Sequence, residues 1–446
     1  ASARQTARAE SMYALVQELY PICRSITGDG VRQSLDILGR HIPLSLTELP
    51  TGAEILDWTV PKEWNIRAAW IQKLSGERVI DFTRSNLHVV NYSTPVRQRI
   101  SRAELDAHLH SLPTHPDWIP YRTSYYAETW GFCLSEHQRQ ALTDPEYEVC
   151  IDTTLEPGHL TYAEAVVAGQ SSEEILLTAH ICHPSLCNDN LSGIAVATWL
   201  VKELLRQAEQ APPRYTLRVL FIPGTIGSIA WLARNRERAS RIRHGLSLVC
   251  LGDARPFTYK RTLHGQREID RVMAYALTAT KQPHQVIDYF PYGYDERQFN
   301  SPGFGLPVGS LMRGQHGKFP EYHTSADDLS FITPERLEES LALCRSVVGI
   351  LNDNRRYQNT KPFGEPQLGK RGVYRALGGG NIADPQLALF WLLALSDGHH
   401  DLLQIAERSA LPFSVIRDAA LLLEQHELLS PSGSASDSSG AASSGG

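Results

Sequence analysis

His180, His183 and Asp189 crowd one short stretch, AHICHPSLCNDNLSGIAV (residues 179–196), and together offer two imidazoles and a carboxylate. These are ligand types that zinc prefers, so the chemistry this segment points to is that of a metal site. A hydrolytic zinc site needs three or more protein ligands, an open position for water and a base to take that water's proton. Further candidates stand downstream: Asp253 in CLGD, His323 and Glu321 in FPEYHTSADDL (319–329), and Glu296 in YDERQF (294–299). Asp253 and His323 are ligand types placed just beyond apolar runs, and Glu296 and Glu321 are acids near enough in sequence to act as base or ligand.

Each residue also has an ordinary reading. Asp189 in NDNLSG is a suitable cap for a following helix, Asp253 could fix a turn, and Glu296 could pair with Arg297 or another surface cation. A lone histidine such as His323 is more often structural than ligating, and Cys182 and Cys187 read as buried inert thiols before thiolate ligands. Convergence favours the metal reading, because several strand ends would otherwise carry ligand-type residues by accident.

The elements that must position these groups are legible in the hydrophobic pattern. Residues 175–179 form a short apolar run suited to a buried strand, and Ile194, Ala197, Val201 and Leu204 then recur at helical spacing. The candidates therefore fall at a strand's C-terminal end, the edge where open α/β sheets bind ligands. TLRVLFI (216–222), LSLVCL (246–251) and VGSLM (308–312) are further strand-length runs with helical stretches between them. The expected fold is α/β, a mostly parallel sheet with helices on both faces. Two helices are expected within 11–42, a small β-rich insert over 46–110, and extended segments at YRTSYY and YEVCIDTTL. A unit of three short helices begins near Asp384 and is read as winged-helix-like, spanning 361–430. The Ser/Gly-rich residues 431–446 are expected to be disordered. The domain that carries the candidate site would occupy 1–45 and 111–360.

Composition limits the function classes. At 446 residues the chain suggests two to four domains on a prior of about 150 residues each. Its net charge of −6 gives no overall attraction to nucleic acid or anionic lipid. No run approaches the roughly 20 apolar residues of a membrane helix, and the seven cysteines form no CxxC pair, as expected of free thiols in a reducing, cytoplasmic setting. Residues 384–429 hold Arg408 and Arg417 against seven acids and no lysine, so this tail is expected to contact protein and not DNA.

AHICHPSLCNDNLSG resembles the first metal segment of the co-catalytic zinc aminopeptidases, and FPEYHTSADDL resembles their last. DWTVPKEWNI, IPYRTSYYAETWGFCLS, FIPGTIGSIAWL and YDERQF extend a closer similarity, across most of residues 10–430, to bacterial three-domain aminopeptidase-like proteins. That resemblance implies an aminopeptidase core, a small inserted β domain and a C-terminal winged helix. It also implies Asp189 as a metal-bridging carboxylate, His323 as the distal histidine ligand and Asp253 as an aspartate ligand, with one or two zinc ions. The first histidine is either His180, by the broader superfamily, or His183, by the CHP motif of the closer group, with His183 preferred. One departure stands out. Where the broader family carries a Glu-Glu pair, base plus ligand, this chain has Pro223, Gly224 and Thr225. Either another acid serves, Glu296 first and Glu321 second, or the protein binds without turnover. The expected activity is zinc-dependent hydrolysis of a small peptide or aminoacyl-amide, with amide transfer or cyclisation and a metal-binding regulator as alternatives, and a homo-oligomer as a further option.

Overall fold

The computed structural model describes residues 2–373 and 383–432. Its strands grow from the apolar runs. Ser45–Pro50 (β1), His159–Val167 (β2), Ser171–His180 (β3), Tyr215–Ile222 (β4), Ile242–Leu248 (β5), Phe257–Lys260 (β6), His284–Ile287 (β7) and Val308–Met312 (β8) form one sheet in the order β1-β2-β4-β3-β5-β8-β6-β7. The central strands β4, β3, β5 and β8 are mutually parallel, as the alternation of strands and helices requires. The sheet is mostly parallel, as expected: β6 and β7 also pair in parallel, while β1 with β2, β2 with β4, and β8 with β6 pair antiparallel. The chain leaves β3 for β4 on one side and then reaches β5 on the other. The carboxyl end of β3 is thus a topological switch point, where such sheets open a crevice.

The helix Gly193–Ala208 follows β3, and every residue from Gly193 to Val201 is buried. Ala3–Leu19 and Asp29–Gly39 are the two N-terminal helices. A second, antiparallel sheet orders Arg78–Asp81, Glu63–Gln72, Glu146–Glu156 and Val96–Ser101 side by side, over its own core of Ile71, Ile80, Phe132, Tyr147 and Val149. It overlaps the expected insert at 46–110 without coinciding with it. Ser45–Pro50 joins the large sheet because it pairs with β2, and Glu146–Glu156 joins the small one as the central partner of two other strands. YRTSYY, expected to be extended, contributes only an isolated bridge, Asn91 to Thr123, with Pro120 bridging Thr324.

The chain divides into two compact units between Ser346 and Val347. In the second, Arg356–Asn359 pairs antiparallel with Asp397–Asp401 and Leu429–Pro431, and helices Asp384–Leu395, Leu402–Ser409 and Phe413–Gln425 complete a winged-helix arrangement. Asp401 caps its helix, accepting from the Gln404 backbone N–H at 2.8 Å. The expected tail from residue 433 onward lies outside the described residues. No helix among the described residues is long and apolar enough to cross a membrane.

Arg218 interrupts the otherwise apolar β4 and is only 5% exposed. Its guanidinium meets Glu174 of β3 through two hydrogen bonds, 2.8 and 3.0 Å, and Glu164 of β2 at 3.1 Å. Trp231 Nε1 donates to the same Glu164 oxygen at 2.7 Å. Removing the cation alone strands a buried carboxylate. Arg218→Met is therefore expected to lower stability by about 3–5 kcal/mol in urea melts, and Arg218→Met/Glu174→Met by less. Equal losses would contradict the pairing argument.

Candidate metal centre

NDNLSG is built as a set of buried polar clamps. Asn188 Nδ2 donates to Asp253 Oδ2 at 2.8 Å, and Asn188 Oδ1 accepts from the Gly252 N–H at 2.8 Å. Asn190 Nδ2 donates to the Leu248 carbonyl at 2.9 Å, and Ser192 Oγ accepts from the Leu251 N–H at 2.8 Å. The loop after β3 is thereby tied to the loop after β5. A Cβ on Gly193 would stand 2.6 Å from the Leu248 carbonyl oxygen, so only glycine allows this approach. Asp327 accepts from the backbone N–H groups of Asn188 and Asp189 at 2.6 and 2.9 Å, which aims Asp189 inward. From the N-terminal segment, the buried Arg24 donates to the His183 carbonyl at 2.9 Å and the Ser185 carbonyl at 3.3 Å.

Asp189 is fully buried and lies at the centre of a ring of imidazoles. Its Oδ1 is 2.7 Å from His180 Nε2; its Oδ2 is 2.8 Å from His323 Nε2 and 3.5 Å from His183 Nε2. Tyr294 donates its hydroxyl hydrogen to the same Oδ2 at 2.7 Å. Aromatic rings fix the imidazoles in place: Tyr294 stacks on His180 at 4.2 Å, Tyr322 stacks on His323 at 3.8 Å, and Tyr121 stands edge-on to His323 at 5.1 Å. His323 is held at φ +56°, in the left-handed region that non-glycine residues seldom adopt, while its carbonyl accepts from the Tyr121 N–H at 2.8 Å.

Electrostatics put these groups in ligating form. Burial alone would raise the Asp189 carboxyl, but His183 and His180 outweigh it and hold the group well below the usual carboxylate range. Burial pushes His183 and His323 down, toward neutral imidazole. Cys182, 3.2 Å from His183 Nδ1, is an inert thiol, pushed up to about 12 by burial.

His180, His183 and Asp189 present ligand atoms all within 4.8 Å of one another, and His323 reaches the same carboxylate. His183 Nε2 is buried without a hydrogen-bond partner, and such an orphaned nitrogen fits a metal ligand. The other expected site residues are spent elsewhere. Asp253 accepts from Asn188 Nδ2, the Gly314 N–H at 3.1 Å and the Arg255 N–H at 2.8 Å, so it braces two loops and is not among the clustered ligand atoms. Glu296 is pinned by Lys260 Nζ at 2.8 Å and the Tyr294 N–H at 3.0 Å, a buried ion pair that leaves it no free oxygen. Glu321 faces Arg255 at 3.1 Å.

Sequence reasoning missed several residues that the fold delivers. Asp295 is fully buried; Ser228 Oγ donates to its Oδ1 at 2.8 Å, and its Oδ2 has no partner. A Cβ on Gly224 would lie 3.2 Å from His180 Cβ and 3.6 Å from Asp295 Oδ2, so the acid and the histidine border one space, opened by that glycine. Burial pushes the Asp295 carboxyl up to about 7. His316 is buried beside Tyr294, rings 5.4 Å apart, with both nitrogens unpartnered. The one signal for Asp295 was its adjacency to Glu296; for His316, in a Gly-flanked loop, there was none. A cavity of about 270 Å³ opens beside His183 and His323, lined also by Tyr121, Arg122, Thr123 and Tyr125.

These roles separate by variant. Asp189→Asn is expected to abolish zinc uptake measured by elemental analysis after dialysis. Asp253→Asn should keep full metal stoichiometry and instead lose about 1–3 kcal/mol of stability, because its amide would meet backbone donors.

Comparison with known proteins agrees with this architecture. A family model described as a domain of unknown function (DUF4910) matches residues 13–354, and a winged helix-turn-helix model matches residues 355–431. A Clostridium acetobutylicum protein, provisionally named a polysaccharide biosynthesis protein with an aminopeptidase-like domain, is 48% identical over 419 residues, 94% of this chain and 95% of its own. A crystal structure of a provisionally named peptidase from the same organism is 46% identical and covers 96% of this chain and 97% of that one, with a TM-score of 0.90. A zinc aminopeptidase from Bacillus subtilis shares the fold at 13% identity and a TM-score of 0.55, over 76% of this chain and 94% of its own. The chain belongs to the DUF4910 family, an aminopeptidase-like fold joined here to a C-terminal winged helix.

Proposed function

We propose that this protein is a zinc-dependent hydrolase of amide or peptide bonds. The observation that carries the reading is the buried Asp189 carboxylate ringed by His180, His183 and His323, with His183 Nε2 left unpartnered. Asp189, His183 and His323 would hold the ion, and His180 would orient the carboxylate through its other oxygen. When bound, zinc polarises the scissile carbonyl and lowers the pKa of a water toward about 7.

The remaining chemistry belongs to the chain. Tyr294, whose hydroxyl burial holds well above its usual range, stays protonated and keeps its one hydrogen on Asp189 Oδ2, where it orients the carboxylate. Asp295 takes the role of proton acceptor in this reading. Glu296 and Glu321 are neutralised by Lys260 and Arg255, whereas Asp295 keeps an unpaired oxygen at the place where Gly224 stands instead of an acid. A proton taken there can pass to the leaving amine. The relative's provisional name adds a setting, polysaccharide biosynthesis. A second reading, metal binding without turnover, is favoured by one observation, the Gly224-Thr225 pair itself.

Stripping with a chelator should abolish hydrolysis across a panel of small acyl- and aminoacyl-anilides, and zinc or cobalt should restore it. His323→Ala should remove both metal and activity; undiminished turnover in either case would refute the hydrolase reading. Asp295→Asn is expected to retain zinc but lose on the order of 10²–10⁴ in kcat, the range of a general base. A stoichiometrically loaded protein inert toward the whole panel would favour binding without turnover.

A further inference from the structure

The aromatic wall of the cavity beside His183 and His323 continues outward. Tyr125, which lines that cavity with Tyr121, stands edge-on to Tyr126 with rings 6.2 Å apart, and Tyr126 meets Trp58 at 5.2 Å and 55°. Trp58 comes from a short hairpin that pairs Glu54–Ile55 with Trp58–Thr59. The hairpin is anchored from beneath, because Ile55 and Val60 are buried in the core cluster that also holds Tyr92 and Cys182, and Tyr125 packs against the same cluster. Trp58 is left 44% exposed and Tyr126 58%. The Tyr126 hydroxyl nevertheless lies inward: burial raises it to about 12, and the Cys182 thiol, next to His183, is the one ionisable group that acts on it. The same thiol acts on Tyr121 and Tyr125, so the three tyrosines border one region.

The polar tips of these two rings set them apart from the aromatics around them. Trp64 Nε1 donates to the Ser93 carbonyl at 2.9 Å, Trp231 Nε1 donates to Glu164, and Tyr121 and Tyr125 are bonded hydroxyl to hydroxyl at 2.8 Å. Among the described residues, Trp58 Nε1 and the Tyr126 hydroxyl have no such partner. No lysine, arginine or carboxylate acts on Tyr126, and Glu128, two residues on, is paired with Lys62 at 2.8 Å. A ligand lying here meets open ring faces, two free polar tips and no side chain placed to hold a charge. A plain hydrocarbon would be covered on one side only and stay wet on the other. A pyranose suits both sides: the C–H bonds of one face meet the negative face of an aromatic ring, and the hydroxyls of its rim reach the polar tips and water.

We propose that Trp58 and Tyr126 form a subsite for a neutral sugar ring, and that the amide this protein hydrolyses is borne on a carbohydrate. The substrate class rests on the hydrolase reading. The subsite does not, because binding to metal-free protein reads it alone.

The probes are the methyl glycosides of N-acetylglucosamine, N-acetylgalactosamine and N-acetylmannosamine, set against N-cyclohexylacetamide, which keeps ring and amide without hydroxyls, and acetanilide, which is flat and aromatic. Ligand-observed NMR titration of the metal-free full chain should show at least one glycoside binding at least about tenfold more tightly than either hydroxyl-free ring. Trp58→Ala and Tyr126→Ala should each weaken that glycoside by about three- to tenfold, the worth of one aromatic contact, while Trp58→Phe keeps part of it and Tyr126→Phe loses less than the alanine variant. Unchanged melting temperature and zinc uptake mark the variants as folded. Equal binding of N-cyclohexylacetamide or acetanilide, glycoside binding that survives both alanine variants, or no glycoside binding at all would overturn the subsite. Zinc-loaded protein should then split the amide C–N bond of the bound glycoside with one water, giving acetate and the free amine, faster than it splits acetanilide. The reverse order overturns the substrate class, whereas a bound glycoside left intact together with an inert anilide panel sinks the hydrolase reading and leaves the subsite standing.

Discussion

A carboxylate with no exposure to water, Asp189, sets the terms for the larger unit. An isolated buried carboxylate is penalised by several kcal/mol, so its surroundings must return what solvent would have given. Here the compensation is dense: His180 on one oxygen, His323 and the Tyr294 hydroxyl on the other, with His183 close by. The His183 nitrogen beside it is left without a hydrogen-bond partner.

Holding that arrangement explains much of the fold's local detail. The loop after β3 is knotted to the loop after β5 through Asn188, Asn190 and Ser192, braced by Asp327 and anchored by Arg24. None of these needs to touch substrate. They remove freedom from the segment that carries His183 and Asp189, as rigid second-tier contacts do for metal ligands. The left-handed backbone at His323 is retained for the same reason, because the contact with Tyr121 over-determines it.

Gly224 and Thr225 stand at the end of β4, where the acid nearest to them comes from a different segment. Asp295 comes up against Gly224 from the turn before helix Glu296–Phe299, and a side chain at 224 would crowd the shared space. Its neighbour Glu296, one residue on, is turned the other way by Lys260. Two adjacent acids thus have opposite fates, one locked in an ion pair and one with a free oxygen, and the difference lies in which side chains pack against each.

The parallel centre of the sheet, the helices of the winged unit and the nearness of His180, His183 and Asp189 are legible along the chain, because they follow from local periodicity and from short spacing at one strand's end. Tertiary structure alone decided what the remaining acids do. Asp253 sits just beyond a strand as a ligand should, but Asn188 and two backbone N–H groups claim its oxygens, and their approach depends on how two loops pack. The edge strands, too, were assigned by pairing: Ser45–Pro50 and Glu146–Glu156 are both extended, and neither pattern says which sheet will receive it. Periodicity along a chain reports the face a residue shows to the core, whereas the partner of a buried charge is fixed only when distant segments meet.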